Sequence, residues 1–144
     1  MGVVCDTGGV YALYDADDAH HAAVAAVIRA ERGPLYVPSA LLSEIDYLLS
    51  VRLGVPAVLD FLASVTAGAF TLAPFTSEDL SRCRQLIDQY RDLPLGLADA
   101  AVVSTAERLE LDRILTVDQR HFRTVRPQGF DHFRLLPADS ELGP

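Results

Sequence analysis

Short apolar runs of strand length alternate along this chain with segments of helical periodicity. Val3–Asp6, Leu35–Val37, Phe70–Phe75, Arg113–Val117 and Phe133–Leu136 read as strands. The spacers are long enough for crossover helices, so the pattern predicts an α/β fold with a mainly parallel sheet. No linker, repeat or low-complexity segment divides the chain. Its 144 residues are expected to form a single domain, residues 1–144, with a flexible tail from about residue 138.

Punctuation residues set the helices. Thr7-Gly8-Gly9 turns the chain into a short helix around Val10–Tyr14, and Asp17 or Asp18 caps one running to about Arg32. Ser39 caps a helix that Gly54 stops, and Pro56 begins the next. Thr76-Ser77-Glu78-Asp79 resembles a capping box for a helix reaching about Arg91, and Asp99–Leu109 forms the last long helix.

Composition excludes several chemistries. All twelve basic residues are arginine, so a P-loop, which needs its phosphate-binding lysine, is excluded, and so is a Schiff-base enzyme. A net charge of −8 argues against a general nucleic-acid coat protein. Five arginines (113, 120, 123, 126 and 134) nevertheless crowd the last quarter, where they could grip phosphate or simply solubilise. Cys5 and Cys83 lack metal-ligand spacing and are expected to be buried, reduced thiols. No apolar run reaches the ~18 residues of a membrane span, and with no signal-like N-terminus the expected location is the cytoplasm.

Four acidic residues interrupt otherwise apolar surroundings. Asp6 ends the first strand, Glu44 borders the apolar stripe Leu41-Leu42-Ile45-Leu48-Leu49, Asp99 opens an Ala/Val-rich helix, and Asp118 follows Ile114–Val117. Each alone could be a cap, a turn or a solvated helix residue. A buried carboxylate is costly unless paired, neutralised or metal-bound, and this chain has no lysine to pair with it. In open parallel sheets sites form beyond the carboxyl ends of strands, where Asp6 and Asp118 would lie. Glu44 and Asp99 can lean over the same edge. His20 and His21 project about 100° apart on a helix and make a poor chelating pair.

In this order, Val3-Val4-Cys5-Asp6-Thr7-Gly8, Asp18-Ala19-His20-His21, Pro38-Ser39 through Glu44, Leu97-Ala98-Asp99-Ala100-Ala101 and Leu115–Phe122 resemble the PIN-domain ribonucleases, specifically VapC-type toxins of bacterial toxin–antitoxin pairs. The resemblance spans nearly the whole chain and implies a three-layer α/β/α sandwich around about five strands. It places Asp6, Glu44, Asp99 and Asp118 at the catalytic, metal-binding positions, with Thr7 and Thr116 as supporting hydroxyls. It implies Mg²⁺ or Mn²⁺ as cofactor, RNA as substrate, a cognate antitoxin and a homodimer. Arg120 and Arg123, close to the site in sequence, are expected to bind RNA phosphates. Gly8 stands where many relatives carry serine, and His121 where some carry another acid. Two rival readings are a non-catalytic PIN-like binding module and, from Asp6-Thr7-Gly8, an aspartic protease. The protease would be mostly β, against the helical patterns here.

Overall fold

The structure, a computed structural model, describes residues 1–141. Its elements in chain order are β1 (Val3–Cys5), α1 (Thr7–Tyr14), α2 (His21–Ala30), β2 (Leu35–Pro38), a 3₁₀ turn (Ser39–Leu41), α3 (Leu42–Leu53), α4 (Val55–Thr66) and β3 (Thr71–Ala73). They continue with α5 (Ser77–Gln89), α6 (Leu97–Arg108), β4 (Arg113–Leu115), α7 (Arg120–Thr124) and β5 (Arg134–Leu136).

All four strand pairings are parallel, and the sheet order is β3-β2-β1-β4-β5. The chain first steps outward from β1 through β2 to β3, then crosses back to β4 and β5. Right-handed crossovers put α1–α4 on one face and α5–α6 on the other, giving three layers. The reversal falls between β1 and β4, so their carboxyl ends flank the crevice where such folds bind ligands. β1 is fully buried, as is usual for the central strand of a parallel sheet.

Helix α6 lies against β1, β2 and β4. Ala100 through Ala106 are all buried, as expected of a helix that is apolar nearly all round. Asp79 fastens α5 to it. Its carboxylate accepts hydrogen bonds from the Thr76 backbone N–H (2.9 Å) and the Ser104 hydroxyl (2.8 Å). The Thr76 hydroxyl accepts from the Asp79 N–H, completing the expected capping box.

Several boundaries differ from the sequence reading. Helix α1 starts at Thr7, so Gly8 and Gly9 lie inside it rather than in a turn. A Cβ at Gly9 would sit 2.6 Å from the Leu115 carbonyl oxygen, so only glycine lets α1 pass this close over β4. Gly9→Ala should therefore cost about 1–3 kcal/mol of unfolding free energy in urea titrations, the range of core overpacking. Helix α2 begins at His21, with Asp18 accepting from the His20 N–H instead of capping the helix. Ser39 opens a 3₁₀ turn, and its hydroxyl accepts from the Phe75 N–H across β2 and β3. Gly54 stops α3 as expected, with φ of 91°. Helix α6 starts two residues before Asp99. Helix α7 escaped the sequence reading because five residues are too few for a periodicity; the buried Phe122 pins it to the core.

Asp139, at the start of the stretch expected to be a tail, is held by hydrogen bonds. That carboxylate accepts from both terminal nitrogens of Arg123 (2.8 and 2.6 Å) and from the Leu135 N–H, tying the chain end to β5. Residues 142–144 of that tail lie outside the described residues. Both cysteines are free and buried, and burial pushes the Cys83 thiol up to about 11 and Cys5 higher still, which makes them inert. No helix among the described residues is long and apolar enough to cross a membrane.

Candidate active site

Asp6 is the anchor. Its backbone N–H donates to the Leu115 carbonyl (2.9 Å), locking the ends of β1 and β4 together. Its carboxylate is 7% exposed and accepts the Thr116 hydroxyl proton at 2.9 Å. The same hydroxyl accepts from the Asp118 N–H (3.0 Å), so Thr116 links the first and fourth carboxylates. Burial foremost, with the charges of Asp99 and Glu44 adding, raises Asp6 from 3.8 to about 6 against the opposing hydrogen bonds from Thr116 and Thr7. Among the described residues no cationic side chain pairs with Asp6. The hydroxyl of Thr7, also buried, has no hydrogen-bond partner.

Asp99 sits at the third position of α6, half-buried. Burial raises its pKa, the nearby His121 opposes the rise, and the charges of Asp118 and Glu44 add to it. Asp118 is exposed, on the loop leading into α7. One of its oxygens accepts from the Arg120 N–H (3.1 Å) and the other lies 3.0 Å from His121 Nδ1. That same ring nitrogen is 3.4 Å from an Asp99 oxygen. Glu44, in the first turn of α3, is exposed rather than set among apolar side chains, yet its charge is felt at Asp6 and Asp99.

The four carboxylates thus face one sheet edge, but only Asp6 is buried. No three His, Cys, Asp or Glu side chains among the described residues stand close enough to hold an ion between them. The His121 ring stands between Asp99 and Asp118. The donor chemistry still fits a hard divalent cation. Every candidate ligand is a carboxylate oxygen, and the most buried one lacks a positive partner.

Sequence reasoning gave His121 no partner. Its three-residue spacing from Asp118, across the start of α7, was the available signal. Arg123, expected to grip phosphate, is instead bound bidentately to Asp139, which it holds down at about 2. The Arg120 guanidinium donates a 3.3 Å hydrogen bond to the Leu93 carbonyl and stays exposed beside the site. The Asp-Thr-Gly triplet is the β1–α1 junction of a parallel α/β fold, which removes the aspartic-protease reading. A groove of about 560 Å³ adjoins Thr116, walled by Ala23, Ala26, Val117 and Gln119.

Known proteins resemble this chain in sequence and in fold. The model of the PIN domain matches residues 3–127. Ribonuclease VapC26 of Mycobacterium tuberculosis is 36% identical over 135 residues, covering 94% of this chain and all of that protein. Among solved structures, VapC20 of Mycobacterium tuberculosis, a toxin that cleaves the sarcin–ricin loop, superposes with a TM-score of 0.76 at 17% identity, over 81% of this chain and 90% of that one. A toxin–antitoxin complex from Klebsiella pneumoniae gives 0.68 at 15% identity, over 85% and 92%. With its parallel sheet, its acidic edge and this match along nearly its whole length, the chain belongs to the PIN-domain family and is a homologue of VapC ribonucleases.

Proposed function

We propose that this protein is a divalent-metal-dependent endoribonuclease, the toxin of a toxin–antitoxin pair, acting in the cytoplasm. The observation that carries the reading is Asp6: a buried carboxylate at the topological switch point, crowded by two other acids and lacking any cationic partner. Such a group is costly unless it serves a ligand.

Asp6 and Asp99 would hold the principal Mg²⁺ or Mn²⁺ ion, with Glu44 and Asp118 completing the set directly or through water. When bound, such an ion acidifies water and stabilises charge developing at phosphorus. The chain's own residues arrange the rest. Thr116 fixes the rotamer of Asp6 through its donated proton. Thr7 contributes a backbone N–H to the same carboxylate. Arg120 is placed to meet a flanking phosphate, and the net negative charge elsewhere leaves RNA binding dependent on such local cations.

Purified protein should cleave RNA in Mg²⁺ or Mn²⁺ and stop in chelator. Asp99→Asn should lower that rate at least ~100-fold, since even second-shell changes at metal sites cost 10–100-fold. Full Mg²⁺-dependent cleavage by Asp99→Asn would refute the assignment. Arg120→Ala should raise KM for RNA and lower the salt slope of binding by roughly one, the signature of one phosphate contact. Arg123→Ala should leave that slope unchanged.

The antitoxin and homodimer proposals rest on the apolar surface of α3 and α4. Leu49 and Phe61 are core, but Tyr47, Val51, Val55, Leu59 and Leu62 are exposed together on this hairpin. An apolar face of this kind marks a docking surface. Co-expression with a cognate antitoxin should relieve toxicity and suppress cleavage.

A further inference from the structure

Three polar contacts around Asp118 assign a role to a residue outside the carboxylate set. Asp118 is exposed, and an exposed side chain on a loop has several rotamers open to it. Here both of its oxygens are engaged, one by the Arg120 N–H at 3.1 Å and the other by His121 Nδ1 at 3.0 Å. His121 Nδ1 also lies 3.4 Å from Asp99 Oδ2. In the tautomer with hydrogen on Nδ1 the ring donates to Asp118 at 3.0 Å, while Asp99 lies at ion-pair distance, 3.4 Å, without a hydrogen bond of its own. The imidazole side chain is 19% exposed, and the adjacent Phe122 is buried, so the ring rides on a fixed turn.

We propose that His121 is a positioning residue: its Nδ1, hydrogen-bonded to Asp118 and 3.4 Å from Asp99, sets the distance at which these acids take up the divalent ion, and leaves Asp118 to reach that ion through water. The inference rests on the ribonuclease reading and adds to it a division of labour. Asp6 and Asp99 bind, while Asp118 with His121 forms the wall of the site. His121 itself touches neither metal nor RNA.

The contact through Nδ1 rather than Nε2 gives a sharp test with the full chain and Mn²⁺ alone. An asparagine amide nitrogen can take the place of Nδ1, whereas a glutamine amide reaches only as far as Nε2. Calorimetric Mn²⁺ affinity should fall about 10–100-fold in His121→Ala and His121→Gln but stay within about threefold of the parent in His121→Asn. Circular dichroism should show all three variants folded. The electron spin-echo spectrum of bound Mn²⁺ should lack a directly coordinated nitrogen. Equal affinity in parent, Ala and Gln variants would overturn the proposal, as would Asn behaving like Ala or a nitrogen signal lost in His121→Ala. Failure of this proposal alone leaves Mn²⁺ binding and cleavage sensitive to Asp99→Asn. A parent protein that binds no Mn²⁺ overturns both the proposal and the metal-dependent reading beneath it.

Discussion

Asp6→Asn raises the melting temperature of the metal-free protein by roughly 5–10 °C at pH 7 and abolishes RNA cleavage. The sign follows from linkage. Asp6 titrates at about 6 in the folded chain and near 3.8 in the unfolded one. Between these values the folded state holds a proton that the unfolded state has released, so stability falls as pH rises from about 4 to about 6. The full penalty, ~3 kcal/mol for a rise of that size, is present at pH 7. Asparagine keeps an oxygen for the Thr116 hydroxyl and removes the charge. The stability difference between parent and variant should vanish below about pH 4. Saturating Mg²⁺ should raise the melting temperature of the parent and leave that of the variant unmoved. Thermal scans at pH 4 and pH 7, with and without Mg²⁺, check each part.

Asp79→Ala acts in the opposite direction, lowering stability by about 2–4 kcal/mol through loss of a helix cap and an orphaned buried hydroxyl. Asp79 is 3% exposed. Burial alone would raise its pKa, but hydrogen bonds from the Thr76 backbone, the Ser104 hydroxyl, the Thr76 side chain and Arg108 hold it below the usual carboxylate range. A depressed carboxylate stabilises the fold above its unfolded pKa, and that contribution disappears as pH falls through the folded value. The Arg108 contact, at 3.3 Å on a guanidinium 36% exposed, adds little. Urea titrations should show a large Asp79→Ala difference at pH 7 that shrinks only as pH falls through the depressed folded-state pKa of the carboxylate. Together the two aspartates move the stability maximum of the metal-free protein to the acid side of neutrality.

The sheet was legible because each strand run ends at a residue with a job. Asp6 and Thr116 close β1 and β4, and Pro38 closes β2. The switch point followed from those ends once the strands were taken as parallel. The capping box at Thr76 and the stop at Gly54 were equally plain, because both are local chemistry. What escaped was everything decided by approach rather than by pattern. Gly8 and Gly9 read as turn residues, yet they lie within α1, which passes close over Val117 and the Leu115 carbonyl. Glu44 and Asp118 read as acids in apolar surroundings, but their side chains face outward at the rim. The Arg123 partner Asp139 could not be foreseen because it lies sixteen residues away, in the turn after β5. His121 lacked a partner in sequence terms because one of its two carboxylates arrives from α6.

RNA cleavage by the full-length parent and Asp6→Asn, each followed across a Mg²⁺ titration and in excess chelator, weighs most directly on the assignment of function. The parent should cleave only with the metal, and the variant should fall at least ~100-fold short of it at every concentration. Cleavage by Asp6→Asn at the parent's rate, or undiminished cleavage by the parent in chelator, would contradict a metal-dependent site built on Asp6.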